Sequence, residues 1–387
     1  MSAVAVAAGR VIRGARTSKS TNMQSVSSPQ PHLSDSEQPT PPDLSADAML
    51  RVAAIGGGTG LSTLLRGLKR HTQSPSHAAV SMDSVAESPA VISDLAAIVT
   101  VTDDGGSSGR LRRDMNMLPP GDLRNCMVAL SEDEHLLSRL FQYRFDSGEG
   151  LEGHSFGNLF LAGLTAVTGD FALAVKTSSQ ILATRGHLYP ATNSNVTLAA
   201  LMDDGSTVLG ETKITASKRR IVRLMLKPER VAALPEAVEA ILGADLITLG
   251  PGSLYTSLIT NLLVEGIAES LVAARGLRVF ICNLMTQSNE SLHLTASQHI
   301  ERIYEHSGGA IFDYALVNVA PVPEEARQRY AAEGAEPIVA DIDQIERLGV
   351  RCISGDFLRA EDVLRHDYER VADALLELGL KHRSPKR

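Results

Sequence analysis

One short stretch near residue 50 restricts what this chain can fold into. The run Arg51-Val52-Ala53-Ala54-Ile55 stops at Gly56-Gly57-Gly58-Thr59-Gly60, and leucines follow at 61, 64, 65 and 68. The first segment reads as a short buried strand and the leucine spacing of three and four as an amphipathic helix. A strand, a glycine turn and a helix in that order begin a βαβ unit. The pattern returns further along. Leu95 to Val101 is apolar almost throughout, as in a strand buried on both faces. Leu246 to Leu249 is another such strand, followed by Gly250-Pro251-Gly252 and a helix start near Leu254. Val279–Asn283 and Tyr314–Val319 read as two more parallel strands, with a helix from about Ser291 to Tyr304 between them. Val196–Met202 and Thr207–Gly210 flank Asp203-Asp204-Gly205-Ser206, a β-hairpin signal. Ala360 to Leu378 is amphipathic and reads as a C-terminal helix. The alternation predicts an α/β protein: a three-layer, Rossmann-like, mostly parallel sheet with helices on both faces and a β-hairpin excursion.

Composition limits the function classes. The 387 residues are 43% hydrophobic, ample for a large core, and the net charge of -8 gives no general reason to bind nucleic acid or anionic membrane. Only 4% of residues are aromatic and tryptophan is absent, so stacking platforms for single strands are not expected. Cys126, Cys282 and Cys352 are odd in number and form no metal-ligand spacing, which points to reduced thiols and a cytoplasmic protein. The longest apolar stretch, Leu159 to Val175, is interrupted by Gly163, Thr165, Gly169 and Asp170 and falls short of a membrane span.

Residues 1–48 are rich in Ser, Pro, Gln and Thr and are expected to be a disordered extension. Arg10, Arg13, Arg16 and Lys19 precede the first acid, Asp35, a pattern shared with organellar transit peptides. A non-functional extension or a misplaced start codon is the preferred reading, and no apolar core long enough for a secretory signal is present. Residues 49–387 form the folded domain, with 71–89 as an inserted polar surface loop.

Five loops carry the candidate chemistry. In the first, Gly57, Gly58, Thr59 and Gly60 let the backbone approach an anion at a helix N-terminus. The alternative is a tight turn packing helix on sheet. No Gly-Lys-Ser/Thr follows, and the glycine spacing departs from the dinucleotide fingerprint. The second loop, Thr102-Asp103-Asp104-Gly105-Gly106-Ser107-Ser108-Gly109, follows a buried strand at the end where open parallel sheets place ligands. Asp103 and Asp104 suit a ribose hydroxyl, a Mg²⁺ ion or a proton, and are the catalytic candidates; a solvated capped turn is the alternative. The third, Pro119-Pro120-Gly121-Asp122-Leu123-Arg124-Asn125, reads as a helix start. Arg110, Arg112, Arg113 and Arg124 add positive charge nearby, suited to phosphates or to solvent. The fourth is His154-Ser155-Phe156-Gly157-Asn158, just before a long apolar helix, with His154 either structural or catalytic. The fifth, Gly250-Pro251-Gly252-Ser253-Leu254-Tyr255-Thr256-Ser257, repeats the strand, glycine turn and helix start of the first. Ser253 is a helix cap, a phosphate contact, or both. The candidate ligand set is therefore Gly57, Gly58, Thr59, Gly60, Asp103, Asp104, Gly105, Ser107, Asn125, His154, Ser155, Asn158, Gly250, Gly252, Ser253 and Tyr255.

Taken in this order, the five motifs resemble those of the bacterial YvcK-type gluconeogenesis factors, within the superfamily named for 2-phospho-L-lactate transferase. The resemblance covers about residues 50 to 380. It implies a Rossmann-like core, a cytoplasmic role in cell shape and envelope synthesis on gluconeogenic carbon sources, and binding of UDP-sugars such as UDP-N-acetylglucosamine. It also makes Thr59 and Tyr255 candidate ligand contacts. The transferases of the superfamily move a phospholactyl group from a guanosine diphosphate donor with Mg²⁺, and Thr102-Asp103-Asp104 is similar to their aspartate motif. The rest of the chain follows the gluconeogenesis-factor pattern.

The preferred reading is a non-catalytic nucleotide-sugar sensor that needs no cofactor and is read by an envelope-synthesis protein partner. A Mg²⁺-dependent transferase and an NAD(P)-binding protein are the alternatives. No activated nucleophile is evident: no Cys-His signature and no nucleophile elbow occur. A homodimer is also expected.

Overall fold

The structure, a computed structural model, describes residues 49–73, 90–132, 136–217, 219–288, 290–359 and 363–383. The extension 1–48 and most of the 71–89 insertion lie outside them. The insertion leaves and re-enters beside itself, because the Val91 and Ile92 N–H groups both donate to the His71 carbonyl at 2.9 Å.

Twelve strands occur among the described residues: β1 (Leu50–Gly56), β2 (Ile92–Val99), β3 (His187–Pro190), β4 (Thr197–Met202), β5 (Thr207–Leu209), β6 (Ile221–Lys227), β7 (Leu246–Leu249), β8 (Leu277–Ile281), β9 (Tyr314–Asn318), β10 (Arg351–Gly355), β11 (Leu358–Arg359) and β12 (Arg365–His366). Seven form one sheet in the order β10-β9-β8-β7-β1-β2-β3, every pair parallel. The chain runs outward from β1 to β3, then returns to β7 on the other side of β1 and runs outward again. The reversal between β1 and β7 is the topological switch point of a doubly wound sheet. β1 and β7 are apolar because both faces are covered; β7 is buried along its whole length.

The helices, in order, are α1 (Gly58–Lys69), α2 (Gly106–Met115), α3 (Gly121–Leu130), α4 (Leu136–Gln142), α5 (Phe156–Thr168), α6 (Phe171–Ile181), α7 (Glu211–Ala216) and α8 (Pro235–Gly243). A π-helical turn (Leu254–Ile259) then runs into α9 (Thr260–Leu262). It is followed by α10 (Ile267–Ala273), α11 (Ala296–Ser307), α12 (Glu324–Ala332), α13 (Ile342–Arg347) and α14 (Tyr368–Arg383). Helix α1 packs on α3 and α14, whereas α8 packs on α10, and both groups touch β1. Right-handed crossovers in opposite directions put these groups on opposite faces. Leu61, Leu64, Leu65 and Leu68 of α1 are all at most 2% exposed, so the leucine spacing does mark the buried stripe.

Several boundaries differ from the sequence reading. The second strand ends at Val99, because Thr100 donates its N–H to Gly56 and the chain turns there. The hairpin gains a third strand, β6, antiparallel to β4. The long apolar segment is two helices, since Gly169 closes α5 in the left-handed region (φ 73°) and Asp170 caps α6 by accepting from the Leu173 N–H at 2.7 Å. The helix expected from Ser291 starts at Ala296, where Thr295 and Gln298 form a capping box. The helix expected over Ala360–Leu378 is instead β12 and then α14 from Tyr368. The edge strands β3 and β10 were not anticipated.

Candidate functional site

At the carboxyl ends of β1 and β7 lies a cleft of about 500 Å³, lined by Gly57, Gly58, Thr59, Gly60, Thr63, Pro251, Gly252, Ser253, Ser257, Asn283, Leu284, Met285, Thr286, Gln287, Tyr330, Val363, Leu364, Arg365 and His366. The first and fifth sequence motifs therefore meet, as an open parallel sheet predicts for its switch point. They meet closely. A methyl group on Gly60 would run into the Pro251 carbonyl, so only glycine lets the loops touch.

Helix α1 presents its N-terminus to this cleft. Gly58 sits in the left-handed region (φ 61°), and its N–H donates to the Asp122 carboxylate beneath the loop. The next two N–H groups, of Thr59 and Gly60, have no acceptor among the described residues. Two unpaired donors at a helix N-terminus form an anion-binding arrangement.

The fifth loop does not mirror this one. The N–H groups of Tyr255 and Thr256 donate to Glu290, at 3.1 and 3.4 Å, and the Thr256 hydroxyl adds a third bond at 3.0 Å. A protein carboxylate thus already occupies the start of that helical turn, and its burial raises the Glu290 pKa. Asn283 brackets Gly252, accepting its N–H at 3.1 Å and donating to its carbonyl at 2.6 Å. Gln287 donates to the Ser253 hydroxyl at 2.9 Å. Gly250, held in the left-handed region (φ 96°) with its N–H on Ile55, makes the turn and stays off the cleft wall. Asn261 ties the two loops together through the carbonyls of Gly56 and Ser257.

Tyr255 needs correction as a cleft residue. It is 3% exposed, its ring packs edge-on against His306 with centroids 6.1 Å apart, and it belongs to the hydrophobic core. A helical turn beginning at Leu254 directs that side chain inward.

The second loop forms an acidic floor next to the cleft. Asp103 accepts the Gly105 N–H at 2.9 Å, and a Cβ on Gly121 would stand 3.1 Å from its other carboxylate oxygen. Gly57 is equally confined, since its Cβ would lie 2.5 Å from the Thr100 methyl and 3.0 Å from Asp122. Burial and then Asp103 push the Asp122 carboxyl up to about 6. Glu211, brought in by α7, accepts the Thr102 hydroxyl at 2.9 Å; its pKa is raised strongly by burial, then by Asp122 and Asp103. Asp104 points elsewhere. It holds the start of α7 through the Thr212 N–H (2.8 Å) and hydroxyl (2.6 Å). The two adjacent aspartates therefore have separate tasks, and Asp122 takes the place expected of Asp104.

Ser107, His154, Ser155, Asn158 and Asn125 converge on an internal network outside the cleft lining. The Ser107 hydroxyl lies 2.9 Å from His154 Nδ1 and accepts from Asn158 Nδ2 at 3.1 Å. Arg124 donates to Ser155 and to Asn125, each at 2.6 Å. Burial lowers the His154 pKa and favours a neutral ring. Two of the arginines of this region are likewise engaged by the protein, whereas Arg113 is exposed: Arg112 donates to the carbonyls of Thr102 and Val196, and Arg110 to that of Glu152 at 2.7 Å. Among the described residues the cation lining the cleft is Arg365, on β12, which has no local motif to mark it. Next to it, His366 donates to the Cys282 carbonyl at 3.0 Å, and burial lowers its pKa to about 4. Tyr330 closes the same wall, its hydroxyl accepting the Leu364 N–H at 3.1 Å.

No group of three or more His, Cys, Asp and Glu side chains suited to hold a metal occurs among the described residues. Asp103 and Asp122 supply two close carboxylates. That donor set suits Mg²⁺ completed by waters and ligand phosphates rather than an all-protein cage. The three cysteines are free thiols, and none of the described helices is long and apolar enough to cross a membrane.

Comparison with known proteins agrees with this architecture. Residues 52–358 match the family described as 2-phospho-L-lactate transferase CofD. A protein of Halalkalibacterium halodurans called gluconeogenesis factor is 46% identical over 327 residues, covering 84% of this chain and 95% of the relative. A Bacillus subtilis protein of the same name is 45% identical, covering 85% and 98%. A crystal structure of a Bacillus halodurans protein is 45% identical and superimposes with a TM-score of 0.78 over 85% of this chain and 99% of that one. A second crystal structure, with the same identity and TM-score, is described as a member of the UPF0052 family. On this evidence the chain belongs to the CofD family and, within it, to the YvcK-type gluconeogenesis factors.

Proposed function

We propose that this protein binds a nucleotide-sugar diphosphate of the UDP-N-acetylglucosamine class in the switch-point cleft. It acts there as a cytoplasmic binding factor, without turnover, in the control of cell shape and envelope synthesis during growth on gluconeogenic carbon sources. A single observation carries the binding part: the unpaired Thr59 and Gly60 N–H groups at the start of α1 open into the cleft that Arg365 also lines. Donors and dipole on one wall and a guanidinium on another suit a diphosphate. Tyr330, Leu284 and Met285 extend the cleft with the less polar surface that a base or sugar face requires. The name borne by the relatives supports the link to gluconeogenesis, and the resemblance to YvcK-type factors supports the envelope role.

The acidic floor favours a second reading, a Mg²⁺-dependent transfer of a phosphorus-containing group from a nucleoside diphosphate donor. Asp103 and Asp122 would hold the ion against the donor phosphates, and the ion would neutralise charge developing there.

Thermal unfolding of residues 49–387 with UDP-N-acetylglucosamine, GDP, NAD⁺ and Mg²⁺ separates the readings. A ligand at about a hundred times its dissociation constant adds roughly 2.7 kcal/mol, a shift of a few degrees for a domain of this size. A rise with the UDP-sugar alone supports the binding factor. A rise that needs GDP and Mg²⁺ together, and disappears in Asp103→Asn, supports the transferase. No shift with any of them rejects both.

A further inference from the structure

Charge is unevenly distributed along this chain. Residues 213–230 hold seven lysines and arginines against a single acid, Glu229, a formal +6 within a chain of -8, so the remaining residues sum to -14. The segment runs from α7 through β6, an outer strand of the small antiparallel sheet. Some of its cations are already answered: Arg219 pairs with Asp204 at 2.9 Å, Lys227 with Glu229 at 3.0 Å and Arg230 with Glu265 at 2.7 Å. Lys213, Arg220 and Arg223 are exposed and have no ion pair among the described residues.

A third guanidinium joins Arg220 and Arg223. Arg302 on α11 acts with Arg220 on the Tyr255 hydroxyl and with Arg223 on the His306 ring, so the three side chains share one neighbourhood. That neighbourhood is fixed, because the Leu224 N–H donates to His306 Nε2 at 3.2 Å and holds β6 against the end of α11. The acids around it are few. Glu305 is held by Arg302 at 2.7 Å, Glu290 is turned inward onto the N–H groups of Tyr255 and Thr256, and Asp203, at the hairpin turn, forms no ion pair among the described residues. Val222, between the two arginines and 45% exposed, and Leu209 on β5, 50% exposed, add apolar surface to the same small sheet. Guanidinium forks suit carboxylates, and arginine beside apolar side chains is a composition favoured at protein interfaces. The width of the patch selects the partner. Asp204, Glu229 and Glu265 border it, and the rest of the chain is net acidic, so a membrane or a nucleic acid would meet repulsion around the arginines. A narrow acidic segment reaches the arginines without that cost.

We infer that the β6–α11 surface around Arg220, Arg223 and Arg302 docks an Asp- and Glu-rich segment of a partner protein. Fluorescence anisotropy of a fluorescein-labelled decaglutamate peptide with the full chain tests this. No nucleotide is present, so the outcome is independent of what the cleft binds. The parent should bind the peptide, and more weakly as salt is added. Arg220→Glu with Arg223→Glu should weaken binding about tenfold or more, with the unfolding midpoint unchanged because both side chains lie at the surface. Arg220→Gln with Arg223→Gln, which only removes the charges, should weaken it in the same direction. Arg139→Glu with Arg347→Glu makes the same change of net charge at exposed sites on α4 and α13, and should bind as the parent does. A parent that leaves the anisotropy unchanged overturns the inference, as does equal weakening in the two charge-reversed variants. Binding of the parent to vesicles of phosphatidylserine and phosphatidylcholine but not to the peptide overturns it too, in favour of a membrane surface.

Discussion

Single atoms determine what the glycines of the cleft do. Thr59 and Gly60 are neighbours in one turn, but substitution should separate them. The Thr59 side chain is exposed and lines the cleft, so Thr59→Ala should weaken nucleotide-sugar binding severalfold while moving the unfolding midpoint by less than about 1 °C. Gly60→Ala should lower stability by about 1–3 kcal/mol, because the added methyl group meets the Pro251 backbone and cannot be relieved by a side-chain rotation. Calorimetric titration beside a melting curve checks both. Equal loss of stability in the two variants would mean that the loop is not packed this way. Thr59 was visible in the sequence as the one non-glycine of a glycine turn. The demand for glycine at position 60 was not, since Pro251 arrives from almost two hundred residues away.

At the scale of elements, the two glycine loops proved unequal although they read alike. Both follow a buried strand and precede a helix, and the shared pattern suggested two anion cradles. Only α1 keeps free N–H groups; the turn at Leu254–Ile259 is capped from within by Glu290. Glu290 stands 35 residues from Tyr255, in a stretch with no motif. The fifth loop instead forms a wall, stiffened by Asn283. Asn283→Ala removes two hydrogen bonds to Gly252 and should cost about 1–3 kcal/mol. It should also weaken ligand binding, through loss of loop order rather than of a ligand contact. Denaturant unfolding measures the first effect. If stability were unchanged, the bracket around Gly252 would contribute nothing.

For the whole molecule, two buried groups oppose each other in their response to pH. Asp122 has its pKa raised to about 6 in the fold, against about 3.9 in an unfolded chain. The folded state then holds more protons between these values, so this group makes stability fall as pH rises through that window. His366 has its pKa lowered to about 4 from about 6.5. Here the unfolded state holds more protons, so stability rises with pH over nearly the same range and is lost on acidification. Each contribution is of the order of 3 kcal/mol, so these two groups offset each other between about pH 4 and 6, and each substitution is read as a change of slope relative to the parent. Asp122→Asn should expose the rising limb and His366→Gln the falling one, as read by urea midpoints across that range. Identical slopes in both variants would show that neither group titrates as its surroundings dictate.

The sequence by itself determined the fold class and the place of the cleft. Short apolar runs closed by glycine turns are legible because burial on both faces leaves few polar positions, and because glycine is needed wherever the chain reverses tightly. From these follow the parallel sheet and the meeting of the first and fifth motifs. Only the tertiary structure decided which side chains face that cleft. Arg365 and Tyr330 enter it from two-residue strand β12 and from α12, elements too short or too polar to signal themselves. Ser107, His154 and Asn158, prominent as motif residues, hydrogen-bond to one another in the interior. Tyr255 turns into the core, and Asp122 rather than Asp104 stands beside Asp103. The physical reason is common to all of these. Backbone form depends on local sterics and hydrophobic spacing, which adjacent residues record. A side chain's partner depends on which distant element the fold brings within about 3 Å, and no neighbour in sequence records that.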